Sequence, residues 1–185
     1  MSNLVQIIAP LFRIDRRMSF WATLATIVMG VALLTANALK WGQQMAQVPV
    51  TEGVFTWPSE TPQLIGARCV ACDNHMFPGQ SGCPRCTGDK TEEVLLGRRG
   101  TLWTWTIQGF PPKAPPYAGD VDVKTFQAFG VGYVELPGQV KVEARLTVAD
   151  PEKLKIGMEM EMVIIPLTTD ADGNEVVTFA FAPVA

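Results

Sequence analysis

Residues 69–86, CVACDNHMFPGQSGCPRC, hold all four cysteines of the chain in two C-x-x-C pairs. A C-x-x-C turn presents two thiolates from one tight bend, and two such turns facing each other complete a tetrahedral sulfur site. The ten residues between Cys72 and Cys83, DNHMFPGQSG, are rich in Asp, Asn, Gly and Pro, as a short hairpin demands. The gap is shorter than the spacing of about 15–20 residues common in zinc sites of this type, but a short ribbon needs no more. Cys69, Cys72, Cys83 and Cys86 therefore read as ligands of structural zinc, with iron chemically open to the same thiolates. A closed four-thiolate site leaves no coordination position for substrate, so it braces the chain and does no chemistry on its own.

Two other readings compete. A thioredoxin-type redox site uses one C-x-x-C beside a βαβ pattern, which is not apparent here. Two disulfides would require an exported chain. His75, the only histidine, reads as a hairpin residue, since four thiolates are already at hand.

Upstream the sequence changes character. Met18 to Leu39 runs for 22 residues without a charge, long enough for a membrane-spanning helix, with Arg13, Arg16 and Arg17 before it and Lys40 after. Three readings stay open: an upstream extension with the working protein starting near Met45, a membrane helix, or a signal peptide or partner-binding helix, Ala36-Asn37-Ala38 being a cleavage-like site. Positive residues on the N-terminal side would leave the cysteines outside the cytoplasm if the segment spans, where disulfides compete with metal.

Downstream, short alternating runs are divided by turn residues. GTLWTWTIQG (100–109), FQAFGVGYVEL (126–136), QVKVEARLTV (139–148), MEMEMVIIPL (158–167) and EVVTFAFAPV (175–184) read as five strands, with Gly130 and Gly132 as bend or bulge positions. Between the third and fourth, Asp150 caps and Pro151 opens a single helical turn. Five strands with a short helix between the third and fourth are an OB-fold arrangement. The first loop, GFPPKAPPYAGD (109–120), is long and without periodicity, which suits a contact role. Most aromatics are expected to fill the barrel, with Phe110, Pro115, Pro116 and Tyr117 of the loop as exposed contacts.

Charge narrows the function. The net charge is −3, yet residues 45–185 alone carry eleven basic and seventeen acidic residues, a balance of −6. Such a surface lacks the cationic groove that nonspecific nucleic-acid binding needs. No Ser–His–Asp set and no G-x-x-x-x-G-K-[ST] phosphate loop occurs, and Glu159 and Glu161 read as a solvated strand face.

Taken in order, LIGARCVACDNHMFP, CPRC, GRRGTLWTWTI, FGVGYVELPG and KLKIGMEMEMVIIP resemble the acyl-CoA-associated zinc-ribbon/OB-fold family, roughly over Thr51 to Pro183. The first 44 residues have no counterpart in it. The resemblance implies a mainly β fold, a short rubredoxin-like zinc ribbon followed by a five-stranded OB-fold barrel. The hydrophobic helix expected at about residues 18–40 precedes it. The expected layout is an N-terminal extension over 1–44, a linker over 45–63, the ribbon over 64–94 and the barrel over 95–185.

The resemblance further implies a non-catalytic accessory subunit of a thiolase-like enzyme (a lipid-transfer-type thiolase, aldolase or hydratase) in acyl-CoA and lipid metabolism. Such subunits assist assembly and acyl-CoA binding. The ribbon ligands carry over as Cys69, Cys72, Cys83 and Cys86, while no catalytic residue carries over. Arg98 and Arg99, at the ribbon–barrel junction, are candidates for a CoA phosphate, with ordinary surface charge as the competing reading. A single-strand nucleic-acid binder and a stand-alone acyl-CoA thioester enzyme are the alternatives. The expected compartment is the cytoplasm, with membrane association through residues 18–40 if that segment is native to the protein.

Overall fold

The computed structural model describes residues 46–184. Within them the chain forms nine strands and one 3-10 turn. The ribbon is built on β2 (Ile65–Cys69), which pairs antiparallel with β3 (His75–Met76) on one side and β4 (Thr91–Leu95) on the other. Its own apolar cluster is only Ala67, Cys69, Met76 and Cys83, with Cys72 packed alongside. So few side chains cannot offset the entropy of ordering the segment, which makes a cross-link physically necessary.

The barrel strands are β5 (Arg99–Gln108), β6 (Phe129–Glu135), β7 (Lys141–Leu146), β8 (Glu159–Thr169) and β9 (Glu175–Pro183). Neighbours run β9-β7-β6-β5-β8, and β8 pairs back onto β9 to close the ring. Closure follows from the alternation: Leu102, Val134, Val142, Leu146, Met160, Met162 and Phe181 point inward, all at most 2% exposed. The intervening Glu159 and Glu161 stay outside, where they meet Arg99 and Arg98. Asp150 caps the turn Pro151–Lys153, accepting from the Glu152 amide with Pro151 in the first position, where a missing N–H costs nothing.

Segment 45–63 does more than connect. β1 (Gln47–Pro49) adds to β9 in parallel, and Phe55, bridged to Leu64, is buried in the barrel core. Leu64 and Leu96, which flank the ribbon sheet, are fully buried in that same core. The ribbon is thus anchored at its base in the barrel core, while the residues around the cysteines keep a small cluster of their own.

Three expectations are corrected. Among the described residues the fold is mainly β: the only helical piece is the expected turn, Pro151–Lys153, and no helix is long and apolar enough to cross a membrane. The hydrophobic helix expected at 18–40 lies outside the described residues and is dropped from the fold. Gly130 and Gly132 do not mark a bulge; they pair in regular register with Ile107 and Trp105, and the register shift lies further along β5, between Leu102 and Thr104, opposite Val134 and Tyr133. The two glycines instead permit close approach, since a Cβ on Gly130 would strike the Val148 carbonyl and one on Gly132 would lie 2.9 Å from Leu102 Cδ1.

The second barrel strand also starts later than expected, at Phe129. Asp120 takes the Asp122 amide and the Thr125 hydroxyl, and Asp122 takes the Lys124 amide, at 2.7–2.9 Å. These side chains satisfy the backbone locally and compete with the ladder, so the loop extends to 128.

Candidate metal centre

The two C-x-x-C pairs are built on one plan. In the first, the Asp73 amide donates to the Cys69 carbonyl and the Cys69 amide to the Asn74 carbonyl, both at 2.9 Å. In the second, fourteen positions on, the Thr87 amide donates to the Cys83 carbonyl and the Cys83 amide to the Gly88 carbonyl, again at 2.9 Å. The residue after the second cysteine of each pair is left-handed, Asp73 at φ 61° and Thr87 at φ 59°. That reversal turns each chain back and leaves its two thiols on the inside of the bend. Gly88 lets the second turn come close, since a Cβ there would lie 3.4 Å from Cys86 Sγ.

All four Sγ atoms lie within 4.8 Å of one another. The shortest distances cross between the pairs, Cys69 to Cys86 at 3.5 Å and Cys72 to Cys83 at 3.6 Å. A disulfide requires about 2.05 Å, whereas Zn–S bonds of about 2.3 Å in tetrahedral geometry set sulfurs about 3.8 Å apart. The donor set fits a tetrahedral thiophilic cation. Cys69 and Cys83 are buried, Cys72 is half-buried and Cys86 reaches the surface. His75 is not among the grouped ligands.

Proton affinities in the set diverge. Burial raises the Cys83 thiol, but the amides of Cys86 and Arg85 and the thiols of Cys72 and Cys86 outweigh it and bring the group down to about 6. For Cys72 the Asn74 amide favours the thiolate, yet hydrogen bonding to Cys86, burial, and the Cys83 and Cys69 sulfurs push it up to about 12. Four crowded sulfurs cannot all ionise without a cation among them. A divalent ion held by Cys69, Cys72, Cys83 and Cys86 would supply that charge and pin β2 to the second knuckle.

The remaining sequence candidates do not form one site. Arg99 pairs with Glu161 at 3.1 Å and Glu159 at 3.9 Å, and Arg98 with Glu161 at 3.5 Å, so both already face carboxylates. Phe110 stands 71% exposed, its carbonyl accepting from the Gln108 side-chain Nε2 at 2.7 Å. Pro115 is exposed on the loop. Pro116 and Tyr117, by contrast, line a groove of about 370 Å³ on the barrel wall.

That groove brings in residues the sequence did not single out as a group. β7 and β9 pair only at Arg145–Ala180 and Leu146–Phe181, and where the ladder stops the surface opens. Phe129 and Val131 of β6, Arg145 of β7 and Phe179 of β9 line the opening. Tyr117 stacks on Phe129 with ring centroids 6.2 Å apart, and the Arg145 guanidinium lies 4.1 Å above the same ring. The outward position of Arg145 on an alternating strand is legible in sequence; its closeness to the loop is not.

A four-thiol ribbon anchored through Leu64 and Leu96 to a closed five-stranded barrel defines a zinc-ribbon/OB-fold protein. The family model described as ChsH2, rubredoxin-like zinc ribbon domain, matches residues 60–92, and that described as ChsH2, C-terminal OB-fold domain, matches residues 93–164. The chain belongs to this ChsH2-type family, whose members include proteins named for the DUF35 domain. It is 31% identical over 120 residues to the benzoylsuccinyl-CoA thiolase subunit BbsA of Thauera aromatica, covering 65% of this chain and 76% of that one. It is 32% identical over 127 residues to a DUF35 domain-containing scaffold protein of Pyrococcus furiosus, covering 68% and 86%. Among solved structures, a chain of the Ltp2-ChsH2(DUF35) aldolase shares the fold at a TM-score of 0.50 and 22% identity, covering 66% of this chain and 86% of that one.

Proposed function

We propose that the protein is a non-catalytic accessory subunit of a thiolase-like enzyme acting on acyl-CoA thioesters, with zinc at Cys69, Cys72, Cys83 and Cys86 holding its ribbon in shape. The observation that carries the reading is the joint one of site and kinship. The only metal-type cluster among the described residues is a closed set of four thiols, and the relatives are named as a thiolase subunit and as scaffold proteins. The metal would supply folding energy and no reaction step, because a four-sulfur shell leaves no position for substrate or water. The acidic balance of residues 45–185 supports a protein or thioester partner over a nucleic acid. The reading places the protein in the cytoplasm, where thiols remain reduced.

Exposed aromatic surface supplies a docking face for such a partner. Trp103 is 52% and Tyr133 38% exposed, packed edge to face at 6.3 Å on the outer wall of β5 and β6. Gentle crosslinking of the tagged full chain in its host, followed by purification and mass spectrometry, tests the proposal. A thiolase-like enzyme in stoichiometric yield is expected. Recovery of the chain alone overturns the subunit reading, and turnover of acyl-CoA by the purified chain overturns the non-catalytic one.

A further inference from the structure

The groove beside β7 has an electrostatic asymmetry that points to its own ligand. Its walls are mostly apolar, from Val131, Ala144, Leu167 and the rings of Tyr117, Phe129 and Phe179. One cation enters it, Arg145. Among the described residues Arg145 is the only Lys or Arg that is partly buried yet makes no ion pair; Arg85, Lys90, Lys113, Lys124 and Lys155 also lack one, but all are exposed. The acid in the lining, Glu143, does not reach it and instead accepts from the Tyr133 hydroxyl at 2.7 Å.

Packing over Phe129 at 4.1 Å seats the guanidinium in the groove while leaving its N–H groups without partners among the described residues. A planar fork held this way matches a carboxylate or phosphate oxyanion in two-pronged fashion. The location agrees: strands two and three of an OB barrel, with the first long loop closing one side, are where that fold takes ligands. A volume of about 370 Å³ suits a small molecule.

We infer that this groove binds a small molecule made of an oxyanion, carboxylate or phosphate ester, on a flat apolar body, with Arg145 clasping the oxyanion and Tyr117, Phe129 and Phe179 enclosing the body. The site is separate from the four cysteines and needs no partner enzyme. Its test on the isolated chain therefore leaves the subunit reading untouched if it fails.

The experiment uses the zinc-loaded full chain and three probes: 4-phenylbutyrate, phenyl phosphate and the neutral 4-phenylbutyramide. Calorimetry gives affinity, and NMR follows the Arg145 side-chain N–H together with the Val131 and Ala144 amides. At least one of the two anions saturates with shifts at those residues, and the amide binds about tenfold more weakly or worse. The tighter anion identifies the head group. Arg145→Gln erases the preference for charge, and Ala118→Trp, which fills the groove from an exposed loop position with Arg145 intact, weakens the anion. No saturation by either anion below about 10 mM overturns the assignment. Equal binding of anion and amide, or shifts centred on Arg98 and Arg99, overturns it as well.

Discussion

Asp73 and Thr87 occupy equivalent places in the two knuckles, each directly after a second cysteine and each in the left-handed region, at φ 61° and 59°. The chain therefore accepts the same backbone cost twice, once with a residue that tolerates it and once with a β-branched residue that does not. Asp73 also gains from Arg68, at 2.7 Å. Thr87 keeps only a local bond from its hydroxyl to the Cys86 carbonyl.

Thr87→Asn should accordingly stabilise the zinc-loaded protein by about 1 kcal/mol, since Asn adopts the left-handed region readily. Urea unfolding of both proteins with metal in excess measures it. A loss of stability would show that the Thr87 side chain contributes more than its backbone costs.

Removal of metal should release the ribbon and leave the barrel. The ribbon cluster is only four buried residues and one packed neighbour, whereas Leu64, Leu96 and Phe55 remain held in the barrel core. After chelation, hydrogen exchange should rise in 65–95 and stay low in β5 to β9. Metal analysis should find one equivalent per chain, and two disulfides by mass in place of metal would falsify the site.

Acid should weaken the metal site, more steeply below pH 6. Cys72, raised to about 12, is a thiol at neutral pH and must give up its proton to become a ligand. Affinity therefore rises with pH throughout the working range. Cys83, lowered to about 6, is already a thiolate above that value and adds no proton cost there; below it, a further proton must leave. The slope of log K against pH should steepen by about one across pH 6. Competition with a chromophoric chelator from pH 5 to 8 reads the slope directly.

Two aromatic truncations should separate folding from docking. Phe181 is fully buried, and Phe181→Ala should cost about 3–5 kcal/mol of stability. Trp103 is exposed, with Lys141 4.7 Å above its ring, so Trp103→Ala should cost less than about 1 kcal/mol in the isolated chain. The same Trp103 variant should nevertheless reduce recovery of the partner enzyme by at least about tenfold.

Local pattern carried the site and most of the barrel. Two C-x-x-C turns announce themselves by chemistry, and the alternation of Met160 and Met162 against Glu159 and Glu161 fixes which face of β8 is inside. Asp150 and Pro151 mark a helical turn by capping logic alone. What escaped was non-local. Nothing in segment 45–63 says that Phe55 reaches the barrel core or that β1 joins β9, pairing with residues 128 positions away. The groove escaped for the same reason, because Arg145 becomes distinctive only once Phe129 lies beneath it and Glu143 is engaged by Tyr133 instead. Gly130 and Gly132 misled because glycine signals bulges and tight packing alike, and only the neighbouring strand decides between them.

The seam between the ribbon match and the barrel match, at residues 92 and 93, falls inside β4, Thr91–Leu95. Just beyond it, Leu96 donates its amide to the Leu64 carbonyl and sinks completely into the barrel. A gene cut at that seam would yield one fragment with a torn sheet and another with a hole where Leu64 and Phe55 belong. The two modules therefore cannot be parted cleanly at that seam. Anyone grafting this ribbon onto another protein must transplant the whole stretch from Gln47 onward.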